Sequence, residues 1–205
     1  MKFVSITKAI WKIISNLLYY VFGNIAVFFL YNSAVRKSKD FSGKYLGFTK
    51  RGWKWAVWDL WARLFLGANQ GVKFPVSFGN TIIESQHIEF DYDDLEIFRG
   101  RGKFFQANGG RIIIGKGTWI ANNTGIITAN HDKTNLTNLT GGQDVIIGKN
   151  CWIGMNCVLL PGTVIGDNTI VGAGSVVNGQ FPEGNCLLIG TPAYKKKDYS
   201  CGGKN

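Results

Sequence analysis

Along residues 114–131 and again from 147 an aliphatic residue returns at every sixth position. The chain reads IGKGTW, IANNTG and IITANH, then, after an interruption, IGKNCW, IGMNCV, LLPGTV, IGDNTI and VGAGSV. The second position is mostly Gly or Ala, and the fifth is small or polar throughout: Thr118, Thr124, Asn130, Cys151, Cys157, Thr163, Thr169, Ser175. A period of six fits neither the turn of a helix nor the alternation of a strand, and short fixed repeats of this kind mark a solenoid. Each hexad then supplies one short strand and one corner. Its aliphatic side chain points inward, the small second residue permits the turn, and the fifth must fit a restricted space. Three hexads close one triangular coil, so 114–131, 147–164 and 165–182 are read as coils whose stacking buries a continuous aliphatic column. The beat stops directly after His131, and residues 132–146 leave the coil.

The N-terminal third follows another pattern. Between Lys12 and Arg36 no residue is charged, a length that could cross a bilayer, which needs about 20 apolar residues. Asn16, Gly23, Asn24 and Asn32 interrupt it, so a kinked or re-entrant helical pair is an equal reading. A basic block follows, Arg36, Lys37, Lys39, Lys44, Lys50, Arg51 and Lys54, and then WKWAVWDLWARLFLG, which places Trp55, Trp58, Trp61 and Phe65 on one helical face. Tryptophans beside basic residues suit a membrane interface; the alternative is that these helices cover the open end of the solenoid or a subunit seam. The positive block beyond the apolar stretch leaves the repeats on the cytoplasmic side. The expected organisation is a helical, apolar and basic region over 1–75, a repeat domain over 76–197 with an extruded loop at 132–146, and a tail over 198–205. The expected fold class is all-β, a parallel β-helix carrying an α-helical, membrane-associated or subunit-packing N-terminal region.

Composition sharpens this picture in three places. The 27 glycines in 205 residues are about twice average usage, without collagen triplets or low complexity, and fit a fold of frequent tight corners. The formal charge of +10 suits an anionic partner such as a phosphate-bearing cofactor, an acidic glycan or anionic lipid. No basic run alternates with aromatics in the repeats, and no helix-turn-helix or zinc-finger spacing occurs, so no nucleic-acid partner is expected. The cysteines Cys151, Cys157, Cys186 and Cys201 form no CxxC pair and no cluster with histidine, so no metal is expected. They read as reduced residues, and Cys151 and Cys157, at the fifth position, as small packing groups.

With CWIGMNCVLLPGTVIGDNTIVGAGSVV followed by GTPA, the repeat region resembles the hexapeptide-repeat acyltransferases, which fold as left-handed parallel β-helices and usually work as trimers. It is similar to the galactoside and maltose acetyltransferases, and more so to the O-acetyltransferases of capsule, O-antigen and exopolysaccharide clusters. The resemblance covers roughly residues 78–197 and leaves the first 75 outside. In that family a histidine ending a coil before an extruded loop is the general base. The resemblance therefore gives that role to His131, with Asp132 beside it as a group that could orient or charge-stabilise it, although neighbours in a strand point to opposite faces. It also implies a coenzyme A site along a seam between subunits: Trp152 beside the pantetheine arm, Met155, Ala173 and Gly174 through their backbone, and Asn178 near the adenine. Lys195 and Lys196, in the run after GTPA, are placed to meet the phosphates; a solvated basic tail is the alternative. The galactoside-type enzymes carry an Asn and an Asp one coil before the histidine, whereas FFQANGGRIIIG is shorter and contains no carboxylate, which leaves Gln106 and Asn108 as the polar groups for an acceptor. His87, in SQHIEF, is assigned to surface or packing.

The expected function is an acetyl-CoA-dependent O-acetyltransferase that modifies a sugar hydroxyl of a bacterial surface glycan or its lipid-linked precursor. It would transfer the group directly, using a histidine base, as a homotrimer at the cytoplasmic face of the cell membrane. Two alternatives stand beside it: an N-acetyltransferase acting on a nucleotide-linked amino sugar, and a non-enzymatic β-helix binding or structural protein.

Overall fold

The computed structural model describes residues 2–43, 47–48, 50–139 and 141–198, without the side chains of residues 2–6. Lys44, Cys201 and the tail beyond Asp198 therefore lie outside the described residues. The chain divides into two compact units, Met1–Phe78 and Gly79–Asn205.

The first unit is helical: α1 (Lys2–Leu30), α2 (Ser33–Lys37) and α3 (Arg51–Leu66). The apolar stretch forms no kinked pair, because α1 runs unbroken through Gly23 and Asn24. Asn24 stays within the helix by donating Nδ2 to the Tyr20 carbonyl at 2.8 Å. Gly23 is the contact point with α3, where a Cβ would stand 2.9 Å from the Trp53 carbonyl oxygen. Further along, Tyr31 donates its hydroxyl to Asp59 at 2.5 Å, and Asp59 pairs with Arg63 at 2.8 Å. Arg63 also donates to the Val72 and Phe74 carbonyls, so this buried ion pair is fully engaged. The expected aromatic face of α3 holds for Trp58, Trp61 and Phe65, which are exposed and in ring contact. Trp55 does not belong to it: it is buried, as are Ala56 and Ala62.

The second unit is built from three five-stranded sheets; each middle coil gives one short strand to each, the first coil gives none to the third sheet, and the last gives that sheet both β14 and β15. The first sheet holds β1 (Thr81–Ile83), β3 (Phe104–Gln106), β6 (Gly125–Ile127), β9 (Val158–Leu159) and β12 (Val176–Val177). The second holds β2 (Ile88–Glu89), β4 (Ile112–Ile114), β7 (Val145–Ile147), β10 (Val164–Ile165) and β13 (Gln180–Phe181). The third holds β5 (Trp119–Ile120), β8 (Trp152–Ile153), β11 (Ile170–Val171), β14 (Cys186–Gly190) and β15 (Ala193–Asp198). Pairing is parallel everywhere except between β14 and β15. This is a parallel β-helix. The chain as a whole is not all-β, because its first unit is helical.

Register follows the hexads. Ile114, Ile147 and Ile165 align in the second sheet, Ile120, Ile153 and Val171 in the third, and Ile126, Leu159 and Val177 in the first. These are the inward columns, and all are buried. Seven of the eight fifth positions, all but Asn130, are buried as well, with their polar atoms turned onto backbone carbonyls. Thr118 donates to Gly148 O at 2.8 Å, Thr163 to Val177 O at 2.9 Å and Ser175 to Gly172 O at 2.7 Å. Cys151 and Cys157 take the same place as packing groups, their sulfurs 3.3 and 3.1 Å from the Gly166 and Gly172 carbonyls, and burial pushes both thiols up.

The fourth position explains why the corners close. Gly117, Asn123, Asn150, Asn156, Gly162, Asn168 and Gly174 all have positive φ, a left-handed conformation that Gly and Asn adopt at least cost. The hexad IITANH carries Ala129 there, in no such conformation, and its fifth residue Asn130 is exposed. The regular coil therefore ends before Ala129, earlier than the spacing to His131 suggests.

Candidate functional site

Turns from the first sheet to the second are tight late in the helix but carry extra residues in its first three coils: 84–87, 107–111 and 128–144. These bulges stack along one edge. His87 is exposed and sets Nδ1 3.2 Å from the Ala107 carbonyl, so it lies on this edge beside the Gln106–Asn108 turn. Buried Thr128 ties the next turn on, its Oγ1 donating to Gln106 O at 3.2 Å and Asn108 O at 3.0 Å. The Asn108 Oδ1 atom is buried and has no hydrogen-bond partner among the described residues, an arrangement proteins rarely leave unexplained.

Residues between Thr128 and Gln143 form an arm. Its two ends are closed by the Gln143 N–H donating to Thr128 O at 2.8 Å. Beside that bond Gly142 is wedged against the preceding turn, where a Cβ would come within 2.2 Å of the Gly109 carbonyl carbon. Arg111 secures the foot, reaching Asp144 at 2.7 Å and Glu89 at 3.1 Å. Its backbone N–H, and then its guanidinium, hold the Asp144 carboxyl below the usual carboxylate range. Sequence reasoning missed this clamp. Its visible signal was the pair of Gly-Gly steps, 109–110 and 141–142.

His131 stands where the arm departs, paired with Leu139 through an antiparallel bridge. It is exposed, and its Nδ1 lies 2.7 Å from the Leu136 carbonyl oxygen. A carbonyl can only accept, so in the neutral ring Nδ1 carries the hydrogen and Nε2 presents the lone pair. Asp132 faces elsewhere: its Oδ1 accepts from the Thr134 N–H and Oγ1, both at 2.6 Å, and these donors lower its pKa. It shapes the turn that brings Leu136 round to His131, and Asn135 repeats the device with Thr137.

The arm foot also borders an open groove of about 690 Å³ lined by Gly142, Gln143, Asp144, Pro161, Gly162 and Asn178, among others. Asn178 thus joins the edge that carries the arm, and His131 is not among the lining residues. The remaining candidates lie apart. Trp152 projects from β8 on the outer face of the third sheet, 57 % exposed, in register with exposed Trp119. Just beyond it, at the corner leading to the first sheet, Met155 O accepts from Gly174 N at 2.8 Å, and Ala173 packs on Gly154. The space around Gly174 is open. Lys195 and Lys196 belong to β15 at the edge of the same sheet; Lys195 pairs with Asp198 at 3.1 Å and Lys196 is exposed. No group of three or more His, Cys, Asp or Glu residues able to hold a metal ion occurs among the described residues. The chain therefore offers two surfaces: the arm edge between the first two sheets, and an apolar strip on the third sheet opposite.

Residues 144–179 match the family model of the bacterial transferase hexapeptide (six repeats). The Saccharomyces cerevisiae (strain ATCC 204508 / S288c) protein YJL218W, named as an acetyltransferase, is 40 % identical over 88 residues, 42 % of this chain and 44 % of that protein. The Escherichia coli (strain K12) protein WbbJ, named as a lipopolysaccharide biosynthesis O-acetyl transferase, is 43 % identical over 56 residues, 27 % of this chain and 28 % of that protein. The match therefore spans less than half the length of each relative. A crystal structure of a maltose O-acetyltransferase from Clostridium difficile 630 is 29 % identical, covering 56 % of this chain and 65 % of its own, with a TM-score of 0.38.

Proposed function

We propose that this protein is an acetyl-CoA-dependent O-acetyltransferase whose acceptor is a sugar hydroxyl of a surface glycan or its lipid-linked precursor. The observation that carries this reading is His131 at the root of the arm, with Nδ1–H committed to the Leu136 carbonyl and Nε2 left as a base. In the proposed reaction Nε2 takes the acceptor hydroxyl proton as that oxygen attacks the thioester carbonyl. The tetrahedral adduct collapses by breaking the carbon–sulfur bond, and the imidazolium returns the proton to the departing thiolate. Every atom is accounted for without a covalent enzyme intermediate. Asn108 Oδ1, buried and lacking a partner on the arm edge, suits an acceptor hydroxyl as donor. Gln106, two residues earlier at the end of β3, is the second polar group we assign to the acceptor.

On the donor side, Trp152 and Met155 offer exposed apolar surface to a pantetheine chain, and exposed Ala173 with the open space around Gly174 permits close approach. Lys196 is free to meet a phosphate, whereas Lys195 must share its ammonium with Asp198. Because the donor strip and the arm edge lie on opposite sides of one triangular coil, a site using both needs a neighbouring copy. A homotrimer of left-handed β-helices, with the donor held at each seam, meets that requirement. The exposed apolar residues of α1 and α3 and the basic residues between them support a place at the cytoplasmic membrane face. The reading is tested by mass spectrometry of surface glycan from cells with and without the protein. An acetyl ester on one sugar, lost with the protein, is expected; an acetamide, or no change, would remove O-acetylation.

A further inference from the structure

The helical unit carries a surface that acyl transfer does not use. Ile10, Ile14, Leu17, Val21, Ile25 and Phe28 recur at three- and four-residue spacing along α1, and all are exposed. Ile13, Leu18, Phe22 and Phe29 widen this stripe, and they too are exposed. The opposite side changes character along the helix. In the N-terminal half it holds Lys8, Lys12 and Asn16; in the C-terminal half it holds Gly23, Ala26 and Val27, buried in the contact with α3. Lys54 adds a charge on that side, 5.7 Å over the Tyr19 ring. From end to end, then, α1 has one apolar face and one face that is cationic or packed on protein.

Length alone would allow α1 to cross a bilayer, since Thr7–Leu30 is an apolar run of 24 residues, about 36 Å at 1.5 Å per residue, against a hydrocarbon core of about 30 Å. Its packing argues against this. Gly23 meets Trp53, and Tyr31 bonds to Asp59, so α3 starts beside the middle of α1 and runs in the same direction. The chain joining two parallel helices must travel back along them. It does so against Gly52 and Trp53: the Gly52 N–H donates to Asp40 O at 3.2 Å, Trp53 Nε1 donates to Gly47 O at 2.8 Å, and the Phe41 and Trp53 rings sit 5.0 Å apart. That returning segment exposes Arg36, Lys37 and Lys39. A span would carry these cations into the bilayer with α1, at up to ~2.5–3.5 kcal/mol each near its centre. The free N-terminal part, residues 7–18, is only about 18 Å long and cannot cross alone.

We infer that α1 lies in the plane of a single leaflet along its whole length, its apolar stripe in the acyl region and Lys8, Lys12 and Lys54 among anionic headgroups. The protein is thus monotopic, with the exposed Trp58, Trp61 and Phe65 of α3 as a second apolar ridge. This rests on the membrane association proposed above and not on the acyl chemistry. The test uses the full chain with Cys201→Ser, carrying single nitroxide labels at Ile10→Cys, Ile14→Cys, Leu17→Cys, Val21→Cys, Ile25→Cys and Phe28→Cys, plus Lys12→Cys and Asn16→Cys. The protein is mixed with vesicles of phosphatidylcholine with or without phosphatidylglycerol, floated, and probed with oxygen and a water-soluble nickel chelate. Flotation should strengthen with phosphatidylglycerol. All six stripe labels should report one common depth, and the labels at 12 and 16 should report water. A depth profile that peaks near Leu17 and falls toward Ile10 and Phe28 would overturn the in-plane placement and leave membrane association standing. Failure to float, with the stripe labels immobilised between copies in solution, would overturn both.

Discussion

Two adjacent glycines separate a clamped arm from a loosely attached one. At Gly142 an added methyl would stand 2.2 Å from the Gly109 carbonyl carbon and 2.5 Å from both Gly109 O and Gly110 N, all backbone atoms held by the coil; at Gly141 it would meet nothing within 4 Å. Ordinary carbon contacts need about 3.5–4.0 Å, so Gly142→Ala must push the arm foot away by more than an ångström. That stretches the neighbouring Gln143 N–H bond to Thr128 O, now 2.8 Å, past useful length. Overpacking of this kind costs ~1–3 kcal/mol, and the lost hydrogen bond about 0.5–1.5 more. Gly141→Ala should be neutral, or stabilise by ~0.4–1 kcal/mol through the unfolded chain. Urea unfolding followed by circular dichroism measures the first effect. Thiol release at varied acceptor concentration measures the second, where Gly142→Ala should raise the acceptor KM because the arm no longer holds its position. Equal stability and equal KM for the two variants would refute the clamp.

Three further outcomes follow from the same geometry. Trp152→Ala should raise the KM for acetyl-CoA by about tenfold, roughly 1.4 kcal/mol, while unfolding stays within about 0.5 kcal/mol of wild type, because the ring is 57 % exposed; a shift in unfolding with unchanged donor KM would make it a packing residue. Light scattering should give three chains per particle, and a monomer with undiminished coenzyme A affinity would contradict a site completed by a neighbour. Lys103 is buried, donates Nζ to Ile97 O at 2.8 Å, and is lowered by burial to about 8. The folded state then binds fewer protons than the unfolded one between about 8 and about 10.5, so this lysine should make the fold more stable as pH rises through that window. Urea midpoints of wild type relative to Lys103→Met should move in favour of wild type across it, and a constant difference would refute the assignment.

The β-helix was legible because its signal is local and repeated. The aliphatic first position and the small fifth recur at fixed spacing, and the strands align on those same residues. The best marker went unread: Gly or Asn at the fourth position, all with positive φ, whose replacement by Ala129 places the end of the regular coil before His131. The arm edge was half legible. His131 and the interruption stand out in sequence, but the partners that orient the imidazole and hold the foot are Leu136 O, Thr128, Gly109 and Arg111. A backbone carbonyl has no sequence signature. Nor does a glycine needed for close approach differ in letter from one needed for a turn. Proximity in sequence misled at Asp132, whose carboxylate serves Thr134. Trp55 shows the limit of face assignment in a short aromatic-rich helix, since both faces of α3 carry tryptophan and only packing decides which is covered.

The central claim, that His131 is the base, is most directly tested by turnover of purified His131→Ala with its natural acceptor, read as free thiol release beside coenzyme A binding by calorimetry. General base catalysis contributes ~10²–10⁴-fold and does not hold the donor. A loss of that size in kcat with an unchanged Kd for coenzyme A is expected. Near-wild-type turnover would reduce His131 to a residue that merely stiffens the arm through Leu136 and would contradict the mechanism.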